Sequence, residues 1–351
     1  MSVCKATPIR QEKAWTISRD VLLDRHTTFR VPARAALLAD VWDSAALPEL
    51  FAMPQAQDLP VLVLGGGSNV LFTRDFEGLI IHLSTSGIDI LASDSQYALV
   101  RVAAGEEWDG FVRWSLEQGL SGLENLILIP GAVGAAPIQN IGAYGVEIGE
   151  FVATVEAWDR FKQDLVRLDN QTCAFAYRDS VFKRKRERYV VTAVEFRLRK
   201  QPGLRLDYAG VRHELASMRI GSPTPMQVGQ AVERLRRRKL PDPSLIGNAG
   251  SFFKNPLTSI EHARALKKDH PELPVYPYDE DRCKISAGWL IEACGFKGIR
   301  EGDAGVSDMH SLVLVNYGAA TGAQLWALAV RIQGAVAARF AVHLDPEPLV
   351  I

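Results

Sequence analysis

Cysteine is scarce in this chain: four in 351 residues, at Cys4, Cys173, Cys283 and Cys294, with no CxxC pair. That scatter argues against a disulfide frame or a zinc site and points to reduced thiols in a protein of the cytoplasm. Charge of one sign is missing as well. The 40 Lys plus Arg nearly cancel the 41 Asp plus Glu. A molecule so balanced has no overall field for nucleic acid or an acidic membrane, so any anion site has to be local. No apolar run is long enough to span a bilayer; "LILIPGAVGAAPI" is short and is broken by Pro130 and two glycines. The opening "MSVCKATPIRQEKAW" lacks the apolar stretch and the small-residue cleavage site of a leader. "HELAS" at His213 begins like a zinc-protease helix but has no second histidine, and no metal site is expected.

The usual nucleotide signatures are absent too. "GGGSN" (Gly65, Gly66, Gly67, Ser68, Asn69) follows a strand-like run, "PVLVL", but the G-x-G-x-x-G spacing needs glycine where Val70 stands. No G-x-x-x-x-G-K-[ST] occurs. What remains is a glycine-rich turn whose successive N–H groups could hold a pyrophosphate without help from charge. A second such resource lies in "GLENLILIPGAVGAAPIQNIGAYGVEIGE", with six glycines and two prolines. It is too apolar for a flexible linker and too rich in glycine for a plain helix. A buried loop wrapped around a ligand is the economical reading, with packed turns between strands as the alternative.

Hydrophobic content of 47% and charged content of 23% are ordinary globular values, and the length exceeds one core, so two or three domains are expected. "GLIIHL", "YALVRVAAG", "FVATVEAWDRF" and "RYVVTAVEFRLRK" read as strands. In "EEWDGFVRWSLEQGLSG", Trp108, Phe111, Val112, Ser115 and Leu116 share a helical face that Gly119 ends. A further helix starts near Thr224 and stops before Pro241, and a domain boundary is placed close by. The last helix, in "TGAQLWALAVRIQGAVAARF", has Thr321 and Gln324 as a capping box and Leu325, Leu328, Ile332, Val336 and Phe340 on one face. The basic run "KRKRER" (Lys183–Arg188) reads as a solvated turn, with no nucleic-acid motif beside it.

Taken together, "HTTFRVPARA", "VLVLGGGSNVLF", "IPGAVGAAPIQNIGAYG", "YRDSVFK", "LPDP" with "GNAGSFFKNP", "AGWLIEACGFKG" and the terminal "DPEP" resemble, in order, the UDP-N-acetylenolpyruvoylglucosamine reductases (MurB) of peptidoglycan precursor synthesis. The resemblance implies an α+β protein. A two-part FAD-binding region of the vanillyl-alcohol-oxidase-like (PCMH-type) class would occupy residues 1–85 and 86–225. A C-terminal α+β substrate-binding domain would occupy 226–344, with the tail 345–351 returning to the first part. It implies tightly bound FAD, NADPH as hydride donor and UDP-N-acetylglucosamine enolpyruvate as acceptor, with no obligate protein partner. The cofactor would be held by Gly65–Gly67, Ser68, Asn69, Pro130, Gly131, Gly134, Gln139, Asn140, Gly142, Ala143, Tyr144 and Gly145. The interval after "YRDS" resembles the type I form, with a tyrosine-bearing strand loop that carries Tyr208.

Reducing an enolpyruvyl ether places negative charge beside a carboxylate and then requires one proton at carbon. The resemblance implies Arg178 as the cation that grips the developing enolate. It implies Glu347 as a carboxyl sharing a proton there, and Ser251 as the proton donor. On the residues alone, Arg178 could instead pair with Asp179, Glu347 could be a solvated acid, and Ser251 an ordinary loop serine. Tyr177, Tyr208, Arg236, Lys239, Asn255, Tyr276 and His310 are the expected substrate contacts. An FAD-dependent oxidase of the same fold, or a non-catalytic module binding flavin or a nucleotide sugar, are the competing readings.

Overall fold

Alternation and helical spacing are both realised in the computed structural model, which describes residues 8–11, 14–56, 58–208 and 210–351. Cys4 lies outside the described residues. The other three cysteines are free thiols. The chain divides into two units. The first comprises residues up to Val21, Ala35–Gly67 and Phe76–Arg237; the second comprises Leu22–Arg34, Ser68–Asp75 and Arg238–Ile351.

In the first unit one sheet has the order Pro8–Gln11, Trp15–Leu22, Arg34–Val41, Phe76–Leu83, Val61–Leu64. Phe76–Leu83 pairs in parallel with both Arg34–Val41 and Val61–Leu64. A second, antiparallel sheet runs Asp164–Asp169, Val152–Asp159, Tyr189–Arg199, Tyr97–Ala103, Ile88–Ser93. Its central strand carries "YVVTAVEF" and is buried almost throughout, as a strand covered on both faces must be. The helix Trp108–Glu117 buries the five residues whose spacing predicts its face, and Gly119 turns the chain at φ 72°. Trp108 and Phe111 meet Phe196 edge-on and tilted at 6.0 and 5.0 Å. Each such ring contributes about 1.5–3 kcal/mol by its burial. Val228, Ala231, Val232 and Leu235 of the helix Pro225–Lys239 close the same core.

In the second unit an antiparallel sheet orders Gly247–Ser251, Val313–Asn316, Ala304–Val306 and Arg300–Glu301. A three-stranded sheet sets Arg282–Ile285 between Leu257–Ser259 and Val275–Pro277. The helix Gly322–Phe340 starts on the expected capping box of Thr321 and Gln324, and all five residues of its apolar face are buried. The tail strand Leu349–Val350 pairs in parallel with Val70–Leu71.

Two local expectations are corrected. The run Lys183–Arg188 does not begin as a free turn. Its first two residues belong to the one-turn helix Val181–Arg184, because Ser180 caps it by accepting from Lys183 N. Arg184 then pairs with Asp179 and Arg188 with Asp159. Among the described residues no strand forms around Tyr208 either. Pro202 and Gly203 interrupt the alternation, and the irregular stretch leads into the helix Val211–Ser217.

Candidate functional site

The strand Val61–Leu64 delivers Gly65–Gly67 against the turn at Gly131 and Ala132. A Cβ on Gly66 would sit 3.0 Å from Gly131 Cα, and one on Gly65 would sit 3.2 and 3.3 Å from the Cβ atoms of Ala135 and Ala132. The two glycine segments, read separately in the sequence, are therefore one feature made of bare backbone. Backbone bonds pin the second segment: Trp108 N to Gly131 O (3.0 Å), Val133 N to Glu106 O (2.9 Å) and Gly134 N to Ala104 O (2.8 Å). Pro130 is exposed and Gln139 half-buried.

Beyond Gln139 the segment is held from within. Asn140 is buried; its amide donates to Glu147 Oε2 (2.7 Å) and Ala176 O (3.1 Å) and accepts from Gly149 N (2.9 Å). Residues 142–143 and 146–147 form a minimal antiparallel pair around Tyr144 and Gly145. Asn140, Tyr144 and Arg178 all have left-handed backbone, at φ 49°, 50° and 55°. Non-glycine residues adopt this conformation at a cost of about 1–3 kcal/mol and are concentrated at functional sites.

Arg178 is tied to this loop. Its Nη2 donates to Gly142 O at 2.7 Å, its own carbonyl accepts from Lys183 Nζ at 3.1 Å, and its guanidinium lies 5.3 Å from the Tyr177 ring centroid. A methyl on Gly142 would approach Arg178 Nη1 to 3.2 Å and Val146 O to 2.9 Å, so glycine is what lets the arginine lie there. Asp179, the alternative partner of Arg178, is engaged by Arg184. Tyr208 is half exposed and packs edge-on to Tyr144 at 5.3 Å. Three contributors escaped the sequence reading. Asn125 is buried and donates to Tyr144 O (2.8 Å) and Arg205 O (2.9 Å). Ser180 is buried and donates to Ile138 O (2.6 Å). Asp109 accepts from Leu128 N (2.5 Å). The available signal was a polar residue embedded in an apolar run, which Asn125 in "GLENLILI" illustrates.

Of the remaining expected residues Arg236 belongs to the first unit and the others to the second, and the unit boundary falls inside "GGGSN", between Gly67 and Ser68. Ser251 ends the strand Gly247–Ser251 opposite Val313, after a register shift at which Gly250 takes φ 67°. The following residues anchor the tail. Glu347 N donates to Phe252 O (2.8 Å), Lys254 N to Asp345 O (3.0 Å), and Phe253 bridges to Pro346. Asn69 completes the clasp: its Nδ2 donates to Glu347 O (3.3 Å) and its carbonyl accepts from Leu349 N (2.9 Å). The backbone of Glu347 is thus fixed beside the residue that follows Ser251.

Asn255 Oδ1 accepts from Ala287 N at 3.0 Å, and Tyr276 is exposed on a strand opposite Lys284. Lys239 is exposed at its helix end, whereas Arg236 is half-buried with a fully buried Nε. His310 Nδ1 accepts from Leu312 N at 3.2 Å, which leaves the ring proton on Nε2. Burial first, and then Lys239 and Lys297, push its pKa below the ordinary 6.5, so the imidazole is neutral at pH 7. Among the described residues no His/Cys/Asp/Glu group could hold a metal, and no helix is long and apolar enough to cross a membrane.

Comparison with known proteins agrees with this architecture. The family described as UDP-N-acetylenolpyruvoylglucosamine reductase, C-terminal domain, matches residues 242–351, and an FAD binding domain matches residues 36–164. The reductase of Xanthomonas euvesicatoria pv. vesicatoria (strain 85-10) is 53% identical over 338 residues, covering 96% of this chain and 97% of its own. That of Xylella fastidiosa (strain M12) is 52% identical, covering 96% of each. The crystal structure of the UDP-N-acetylenolpyruvylglucosamine reductase (MurB) from Thermus caldophilus superposes with a TM-score of 0.67 at 26% identity, covering 95% of this chain and 98% of that one. The chain belongs to the UDP-N-acetylenolpyruvoylglucosamine reductase family, and it is an oxidoreductase with an FAD-binding domain.

Proposed function

We propose that this chain is a cytoplasmic enzyme that reduces UDP-N-acetyl-3-O-(1-carboxyvinyl)-glucosamine to UDP-N-acetylmuramate at the expense of NADPH, without an obligate protein partner. In this reading residues 1–85 and 86–225 hold FAD, and 226–344 hold the substrate. The close packing of Gly66 on Gly131 leaves no room for a side chain at Gly66 and keeps this stretch as bare backbone, which fits a cofactor whose central diphosphate is held by N–H groups. Gly65, Gly67, Pro130, Gly134, Gln139, Ala143 and Gly145 belong to the same two loops, and Ser68 and Asn69 continue the first. FAD, when bound, supplies hydride to the enolpyruvyl methylene.

The chain's own residues handle the charge and the proton. Arg178 grips the substrate carboxylate, more tightly as negative charge is delocalised into it; the hydrogen bond to Gly142 O sets the fork in advance. Ser251 gives a proton to the carbon next to that carboxylate. Glu347 shares a proton in a hydrogen bond rather than standing as a bare anion beside the enolate. Tyr177, Tyr208, Arg236, Lys239, Asn255, Tyr276 and His310 contact the nucleotide sugar; Lys239 supplies charge for its diphosphate, and neutral His310 supplies a donor at Nε2.

The observation that carries the reading is the clasp of Glu347 on Phe252. It fixes a terminal acid, whose sequence position alone gives it no role, beside the strand that bears the proposed proton donor. The test is Ser251→Ala. Flavin reduction by NADPH is expected to survive, while reoxidation by the enolpyruvyl substrate falls at least about a hundredfold, the scale of one proton-transfer group. A variant that reoxidises at the wild-type rate removes Ser251 from the mechanism.

A further inference from the structure

The tail that carries Glu347 is held by very little regular structure. Leu349–Val350 and its partner Val70–Leu71 are two residues each, and the two make a sheet by themselves. An isolated pair of such strands is marginal in water, so the segment stays in place only where further bonds tie it down. Backbone bonds run from Leu349 N to Asn69 O (2.9 Å) and from Ile351 N to Leu71 O (3.0 Å). Beyond them Ile351 O accepts twice from one residue: Thr73 N donates to it at 2.7 Å and Thr73 Oγ1 at 2.6 Å.

Thr73 stands on a fixed base. Phe72 before it is buried, and the helix Gly322–Phe340 begins against it: a Cβ on Gly322 would overlap Phe72 O and lie 3.0 Å from Thr73 Cα. Threonine hydroxyls readily bond to backbone a few residues away. This one reaches a residue 278 positions on. The sequence reading gives Thr73 no role. All of these residues, with Ser251, Phe252 and Glu347, lie in the second unit.

Glu347 sits at the other end of the segment. At about 3.3 Å per residue, the extended stretch from Glu347 to Ile351 spans only about 13 Å. Releasing Ile351 opens the short ladder from its far end and loosens the backbone that holds Glu347 against Phe252. A working carboxyl has to stay within about 0.5 Å of its productive position.

We infer that Thr73 is a positioning residue for Glu347: gripping Ile351 through its hydroxyl and N–H, it keeps the tail docked, with Glu347 beside the residue that follows Ser251. It acts through the tail backbone and not on the reacting atoms. This rests on the role proposed above for Glu347.

The test uses the full-length flavoprotein with Thr73→Val, which removes the hydroxyl at nearly constant shape, Thr73→Ser, which keeps it, and Glu347→Gln. In T73V, reoxidation of the flavin by the enolpyruvyl substrate slows about three- to tenfold, the worth of one hydrogen bond. Flavin reduction by NADPH and the substrate Kd stay within about twofold, the split of a residue felt only in the transition state. T73S restores reoxidation. Amide exchange at Leu349 and Ile351 quickens in T73V and returns to the wild-type rate in T73S. Adding T73V to E347Q costs nothing further, because the acid it positions is gone.

Wild-type reoxidation in T73V beside a slow E347Q overturns the inference. So does a T73V that slows both half-reactions alike, is not rescued by serine or adds its full loss to E347Q, each of which marks a structural residue. A T73V that does not fold has the same meaning. If E347Q itself reoxidises at the wild-type rate, the role of Glu347 fails and the inference with it, while amide exchange in T73V still reports whether Thr73 holds the tail.

Discussion

The contact between Gly66 and Gly131 makes a quantitative prediction. Gly66 lies outside the left-handed region, so Gly66→Ala introduces no backbone strain of its own; its effect is purely one of space. The added methyl would sit 3.0 Å from Gly131 Cα, 3.5 Å from its carbonyl carbon and 3.6 Å from its nitrogen. Optimal carbon–carbon separation is about 3.5–4.0 Å, so one loop has to retreat by roughly half an ångström or more. The obstacle is backbone, which cannot swing aside as a side chain would. Overpacking of this kind costs about 1–3 kcal/mol, which lowers Tm by roughly 2–12 °C for a unit of this size. Because the displaced atoms are those proposed to face the diphosphate, flavin content should fall with Tm.

The assay is the ratio of visible flavin absorbance to protein absorbance after purification, with a thermal melt on the same sample. Gly334→Ala is the control. It lies within the helix Gly322–Phe340 with nothing within 4 Å of the new methyl, and should stabilise by about 0.5–1 kcal/mol. A Gly66→Ala protein with full flavin and an unchanged melt would refute the idea that these two backbones form a cradle.

Two further outcomes follow from buried titratable groups. His310 has a folded pKa below its ordinary 6.5, so its contribution to stability is fully present above that value and is lost as pH falls through the folded pKa. His310→Gln should flatten this part of the stability profile, and Lys239→Met should raise the His310 pKa in an NMR titration; an unmoved titration would show that Lys239 does not act on the ring. Burial pushes the Cys173 thiol up to about 12 and Cys294 less far, with Arg339 opposing the shift at Cys294. Alkylation of native protein at pH 8, followed by peptide mapping, should label Cys294 well before Cys173, with the difference vanishing on unfolding. Equal labelling in the native state would contradict the burial of Cys173.

Features that depend on neighbours along the chain were legible without coordinates. The face of Trp108–Glu117, the capping box of Thr321 with Gln324 and the face of Gly322–Phe340 each repeat within four residues, so helical geometry alone makes them readable. Long motifs such as "IPGAVGAAPIQNIGAYG" also identified the family without coordinates. Even so, local reading missed the Ser180 cap that starts a helix inside the basic run, and gave too little weight to Pro202 and Gly203 before Tyr208. Tertiary structure alone decided that Gly66 presses on Gly131, that Asn140 ties the loop to the Ala176 turn, and that Phe252 receives Glu347. It also decided that Arg236 is half-buried with a sealed Nε while Lys239, three residues on, is exposed. Each of these joins segments far apart in the chain through sheet register and core packing. No periodicity in one segment specifies which distant backbone will lie against it.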